Sequence, residues 1–285
     1  MIIDCHTHVE SMDEEVLEKH REASRTVDGS IILASPCPDN RTSNDQVAQY
    51  TETNPNHLFG FAVVNPCKEK TGQHELEVLI HEQHFKGVVL YCSSCGFHPS
   101  DTHVLAFLEV VQSLSIPVFF HTSDHMLGPE AALTYAQPIL LDDIARQFPD
   151  LRMIIGSMGT PYTEQALMVV ARHEHVFADL TIHPNRLWQT YNLVIAAHEH
   201  GVMEKLLFGS GFPDAQPGAC METLLGFNNL LVDSGLPTVP RSAIRAVIER
   251  DALSVLGITS EFKQTVEKGS SERLQAPEVS ETSET

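Results

Sequence analysis

Short apolar runs recur along the chain, and most are followed by a longer stretch with helical periodicity. The runs are Met1 to Cys5, Ser30 to Ala34, Phe59 to Val64, Lys86 to Tyr91, Pro117 to His121, Arg152 to Gly156, Val176 to Thr181 and Lys205 to Gly209. Most are continuously apolar rather than alternating, the pattern of parallel strands covered on both faces. Amphipathic stretches between them include Glu14 to Ala23, Glu75 to Gln83, Thr102 to Leu114, Leu140 to Phe148, Thr163 to Arg172 and Leu187 to His200. Glu222 to Asp233 and Arg241 to Leu256 follow the last run. Eight strands alternating with helices predict an α/β chain folded as a (β/α)8, TIM-type barrel. The alternative is an open doubly wound sheet, but no Gly-x-Gly-x-x-Gly follows a strand here. In a barrel the chemistry lies at the carboxyl ends of the strands.

After Ile258 the character changes. Glu261 to Thr285 holds one aromatic residue, Phe262, among Ser, Thr, Glu and Lys. That leaves too little apolar surface to offset chain entropy. The expected organisation is a barrel over residues 1–258 and an acidic, disordered tail over 259–285.

Composition narrows the function classes. The 285 residues are 42% hydrophobic, enough for one large core or for two small domains. The formal charge is -20 with no basic block, which argues against nucleic acid and against anionic membrane surfaces as partners. No apolar stretch is long enough to span a bilayer. The first residues lack a basic n-region and run directly into candidate site residues, so the expected compartment is the cytoplasm. Six cysteines, Cys5, Cys37, Cys67, Cys92, Cys95 and Cys220, are scattered, as expected for reduced thiols rather than a disulfide framework. The expected partner is a small-molecule substrate, with a homo-oligomer left open.

The candidate chemistry begins at Ile3-Asp4-Cys5-His6-Thr7-His8. On a strand, side chains at i and i+2 point the same way. His6 and His8 therefore aim at one point from the end of the first strand, with Asp4 expected deeper on the same inward face. Two imidazoles converging on a point begin a metal site. The pattern recurs at His173-Glu174-His175 and His198-Glu199-His200, but those pairs close helices, where a His is favoured without any ligand.

The strand ends, read in order, are His6 and His8, then His121 in Val118-Phe119-Phe120-His121, then Gly156-Ser157-Met158-Gly159, then Gly209-Ser210-Gly211-Phe212-Pro213. Phe85-Lys86-Gly87-Val88-Val89-Leu90-Tyr91 and Ala145-Arg146-Gln147-Phe148-Pro149-Asp150-Leu151-Arg152 support the same order. Together these strings resemble the amidohydrolase superfamily, in its amidohydrolase-related branch of metal-dependent hydrolases and decarboxylases, from about Met1 to Ile258. The resemblance implies that His6, His8 and His121 hold one divalent metal ion, with zinc expected. It also exposes two departures. Ser157 stands where the family has a sixth-strand histidine, and Gly211 where it has an eighth-strand aspartate. A serine hydroxyl is a poor ligand and a poor base, although it can hydrogen-bond a substrate. A glycine can neither bind the ion nor accept a proton.

Asp214 and Asp124 are the candidate replacements for the missing catalytic carboxylate. Ser157, His125, His183 and Cys92 are the candidate substrate contacts. Asp and His are common loop residues, so each of these also has a plain turn or packing reading. Cys92 and Cys95 form a Cys-x-x-Cys, but there is no second pair of the kind that usually completes a structural zinc site. Arg41 and Arg186 lie in plausible loops, but no arginine cluster marks a carboxylate clamp. Two functions follow. One is a metal-dependent hydrolase of a small organic acid, ester, lactone or amide, or a related decarboxylase or lyase. The other is a degenerate barrel that binds a ligand or partner without turnover. Restoring the carboxylate with Gly211→Asp, and then Ser157→His, is expected to raise metal affinity and to give hydrolysis of simple activated esters, at a cost in stability if Gly211 has positive φ.

Overall fold

A computed structural model of the chain describes residues 1–36, 43–122 and 128–258. Asp124, His125, Cys37, Arg41 and the proposed acidic tail lie outside the described residues.

Eight parallel strands form one sheet in sequence order. They are β1 Ile3–Thr7, β2 Gly29–Leu33, β3 Leu58–Val63, β4 Gly87–Leu90, β5 Val118–Phe120, β6 Met153–Ile155, β7 Val176–Thr181 and β8 Leu206–Gly209. Nearly every strand residue is buried, which explains why the runs read as continuously apolar. The sheet curls until its edges meet. His8 N donates to Phe212 O at 2.8 Å, Gly211 N donates to His6 O at 2.9 Å, and Thr7 pairs in parallel with Phe212. The fold is a TIM-type barrel, as the sequence predicted.

The helices are α1 Glu14–Ser24, α2 Asn44–Glu52, α3 Gln73–Glu77, α4 Cys92–Cys95, α5 Thr102–Ser113, α6 Leu141–Gln147, α7 Thr163–Arg172, α8 Leu187–Glu199, α9 Pro217–Leu225, α10 Arg241–Ile248 and α11 Ala252–Val255. Sequence periodicity missed α2. That helix is short and mostly polar, and it is started by a capping box between Ser43 and Gln46. The long helix expected over Arg241 to Leu256 is broken into α10 and α11, with Asp251 capping the second by accepting from Ser254 N. The helix expected over Glu222 to Asp233 instead starts earlier, at Pro217, and gives way to a 3-10 segment, Phe227–Leu231.

Two apolar layers hold the barrel. Ile3, Cys5, Ile31, Leu33, Phe59, Phe61, Val89, Phe119, Ile154 and Leu207 fill its interior, and Ala252, Leu253 and Leu256 close one end. A second layer packs strands against helices, including Val88, Leu90, Val118, Phe120, Leu108 and Val111. Gly87 shows how tight the interior is. A Cβ there would lie 2.6 Å from the Phe61 ring, so only glycine allows that approach.

β1 corrects one expectation. Its pairing register with β2 shifts between Asp4 and Thr7, an irregularity that breaks strict alternation. His6 and His8 share a face, but Ile3 and Cys5 occupy the interior cluster and Asp4 is turned to the seam between β1 and β8. There Asp4 Oδ1 accepts from Ser210 N at 2.9 Å and from His6 N at 3.3 Å. Asp4 is therefore not a deeper member of the histidine row.

Candidate active site

Three imidazoles meet where β1 and β5 end. The Nε2 atoms of His6, His8 and His121 form an equilateral triangle with edges of 3.3 Å. All three side chains are buried. Each ring is held from behind. His6 Nδ1 donates to Asp179 Oδ2 at 3.1 Å, and His8 Nδ1 donates to the Leu33 carbonyl at 3.1 Å. His121 stacks on Tyr91 with centroids 4.5 Å apart, and the Tyr91 hydroxyl donates to Ala34 O at 3.1 Å.

These partners decide the tautomers. With Nδ1–H given to an acceptor, neutral His6 and His8 present Nε2 lone pairs to the centre. Facing lone pairs cannot hydrogen-bond each other, so the arrangement suits a cation among them. The size fits as well. Ligands placed tetrahedrally at about 2.0–2.1 Å from an ion stand about 3.3–3.4 Å from each other. The three rings can therefore hold a metal ion without moving. Among the described residues, the donors that meet at this point are these three.

Asp179 is the residue of this candidate site that sequence reasoning missed. It lies in the middle of β7 with no exposed surface. Its Oδ2 also accepts from Ser157 N at 2.9 Å, and its Oδ1 accepts from Thr181 N at 3.1 Å and from the Thr181 hydroxyl. Both oxygens thus have two donors, and one of the four is the His6 ring. The signal was present in the sequence. An aspartate inside the apolar run Val-Phe-Ala-Asp-Leu-Thr is costly unless it is paired.

The other sequence candidates fall in different places. Ser157 is buried with φ 47°, and its backbone N–H, at the turn after β6, reaches Asp179. Asp214 is exposed, and its N–H closes a turn onto Gly211 O. The structure does not bring it to the imidazoles. Cys92 is also corrected as a substrate contact. It is packed in the outer apolar layer near Phe97 and Val104, and burial pushes its thiol well above the usual range. His183 is half-buried after β7, where its carbonyl accepts from Arg186 N. His173 and His200 pair with Asp142 and Glu164 at the ends of α7 and α8, in keeping with the helix-end reading.

Gly211, at the missing aspartate position, has φ +67°. A Cβ there would come within 2.8 Å of Thr181 Cγ2. The seam carboxylate, Asp4, is pushed up to about 6 by burial, against the lowering effect of its hydrogen bonds from Ser210 and His6. Among the described residues, its Oδ2 has no hydrogen-bond partner.

The family profile described as Amidohydrolase matches residues 33–255. The chain belongs to the amidohydrolase family. No curated protein matches this amidohydrolase. Its fold is shared by several solved structures at low identity. An uncharacterised TIM-barrel protein from Bordetella bronchiseptica is 16% identical with a TM-score of 0.68, covering 90% of this chain and 98% of that one. A probable 2-pyrone-4,6-dicarboxylic acid hydrolase from Acinetobacter baumannii, solved with citric acid, is 16% identical with a TM-score of 0.60, covering 90% and 99%. A dihydroxybenzoic acid decarboxylase from Polaromonas sp., solved with manganese and 2-nitroresorcinol, is 15% identical with a TM-score of 0.61, covering 90% and 97%. No helix among the described residues of this amidohydrolase is long and apolar enough to cross a membrane.

Proposed function

We propose that this amidohydrolase is a metal-dependent enzyme acting on a small organic acid, with His6, His8 and His121 holding one zinc ion. The observation that carries the reading is the 3.3 Å triangle of Nε2 atoms, backed by Asp179 and Leu33. Its edge matches tetrahedral donors at zinc–nitrogen distances, whereas octahedral neighbours at that bond length stand about 2.9 Å apart. When bound, the ion supplies Lewis-acid polarisation of a substrate oxygen and local positive charge.

The chain's own residues do the rest. Asp179 fixes the His6 tautomer and ring angle. Tyr91 fixes the plane of His121. Buried walls around the rings exclude bulk water, which strengthens every charge interaction there.

Loss of a carboxyl group, or of a related carbon–carbon bond, is favoured over hydrolysis. Hydrolysis needs a base to take a proton from water. Among the described residues, Gly211 offers no carboxylate, and both Asp179 oxygens already accept two donors each. Bond cleavage at a carboxylate needs polarisation and orientation first, and the carbon that loses CO2 then takes its proton from solvent. The structures of decarboxylases and of a hydrolase with the same barrel support both chemistries as candidates.

The second reading is binding without turnover, and the vacancy at Gly211 favours it. One experiment separates them. Purified chain is analysed for metal and then assayed on carboxylic acids, esters and lactones, following CO2 release and acid release. His6→Ala combined with His8→Ala should lose both metal and turnover. Equal metal content in the wild type and the double variant would overturn the site. Metal bound with no turnover on any substrate class would favour the binding reading.

A further inference from the structure

A second cluster of unlike donors lies away from the imidazole triangle. Cys67 follows β3, while Asp101 and His103 begin α5. Ligand atoms of all three lie within 4.8 Å of one another. Two segments far apart in sequence thus bring a thiol, a carboxylate and an imidazole to one solvent-facing point. Asp101 is the hub. Its Oδ1 accepts from His103 N and from the His103 ring, each at 2.9 Å, and the Cys67 thiol lies beside the same carboxylate. Burial and the neighbouring Asp101 push the Cys67 thiol above its usual range, so it is a protonated thiol here rather than an activated nucleophile.

We propose that Cys67, Asp101 and His103 form a second site, for a thiophilic divalent cation of the zinc type. The donor set decides the class. Thiolate with imidazole and one carboxylate suits zinc and its soft neighbours, whereas magnesium and calcium take oxygen ligands. Three protein donors plus water are a complete zinc shell. The charges also balance, because two anionic donors neutralise the ion. The ion takes the place of the Cys67 thiol proton and of the proton between His103 and Asp101. The Cys67 S–H bond breaks, its proton goes to solvent, and a sulfur–metal bond forms. The neutral His103 ring moves its N–H to the nitrogen facing away, so about one proton leaves per ion bound. Asp101 keeps its cap to His103 N through one oxygen and offers the other. The closure from 4.8 Å is a matter of side-chain rotation, since Cys67 and His103 are exposed. Bound metal would tie the segment after β3 to the start of α5.

The site is tested with the full chain, reduced and metal-stripped, titrated with cobalt(II) as the probe. The triangle of His6, His8 and His121 contains no sulfur, so only the second site yields a thiolate-to-cobalt charge-transfer band. The band is expected in the wild type and in His6→Ala/His8→Ala, at about one ion per chain with about one proton released. Cys67→Ser should abolish it, and His103→Ala should weaken binding at least tenfold. No band in the wild type, or a band that survives Cys67→Ser, would overturn the proposal. Failure of the imidazole site would show separately, as metal content insensitive to His6 and His8.

Discussion

Replacing Asp179 by Asn tests the link between the buried carboxylate and the imidazole cluster. Asn keeps the shape and loses one acceptor. Each Asp179 oxygen receives two donors, from His6 and Ser157 on one side and from Thr181 twice on the other. Whichever way the amide turns, its NH2 faces two donors. Either Thr181 loses its partners, or His6 and Ser157 do. An unsatisfied buried donor costs about 1–3 kcal/mol. In the second case His6 recovers by moving its proton to Nε2, which removes the lone pair it would offer the proposed zinc ion. Removing such a backing carboxylate typically weakens metal binding about 10–100-fold, or about 1.4–2.8 kcal/mol. The assay is a zinc competition titration against a chromophoric chelator, run beside thermal unfolding of the metal-free proteins. A purely structural role would lower the metal-free midpoint and leave the zinc affinity alone. Zinc affinity within twofold of wild type in folded Asp179→Asn would refute the reasoning.

Gly211→Asp alone is expected to lower the unfolding midpoint by a few degrees. Left-handed backbone costs a side chain about 1–2 kcal/mol, and the new Cβ meets Thr181 Cγ2 at 2.8 Å. Thr181→Ser removes that methyl and keeps the hydroxyl on Asp179, so the double variant should recover stability and bind zinc more tightly than either single variant. A double variant no tighter than wild type would show that the added carboxylate does not reach the ion. His20 gives a pH test. It is buried on α1, where its ring contacts the Tyr50 hydroxyl at 3.0 Å and the Thr7 hydroxyl at 3.3 Å, and burial pushes it down to about 4. The unfolded chain takes up this proton near pH 6.5, so the contribution is complete above that value and is lost as pH falls toward 4. By pH 5 the loss is about 2 kcal/mol. The stability gap between wild type and His20→Gln, measured by urea unfolding, should narrow by that amount from pH 7.5 to 5. An unchanged gap would mean that His20 is protonated in the folded protein.

The barrel was legible in the sequence because burial on both faces leaves a mark on every strand. A parallel strand inside a shell of helices must be apolar throughout, and eight such runs in order admit few topologies. His6 and His8 were legible for a related reason. A spacing of two survives folding here as a shared face, although the register of β1 shifts between Asp4 and Thr7. That same irregularity misplaced Asp4, since the two-residue rule cannot count across it. Asp179 was hidden because two of its partners come from other strands: Ser157 follows the neighbouring β6, and His6 lies on β1, which only closure of the sheet brings to β7. Cys92 and Asp214 show the opposite failure. Both follow strands, as active-site residues do, yet one is turned into the outer packing layer and the other into solvent. Local periodicity determined which residues stand at the barrel mouth. Which of them face one another was decided by the curl of the sheet and the turn after each strand, through contacts too distant in sequence for any local pattern to record.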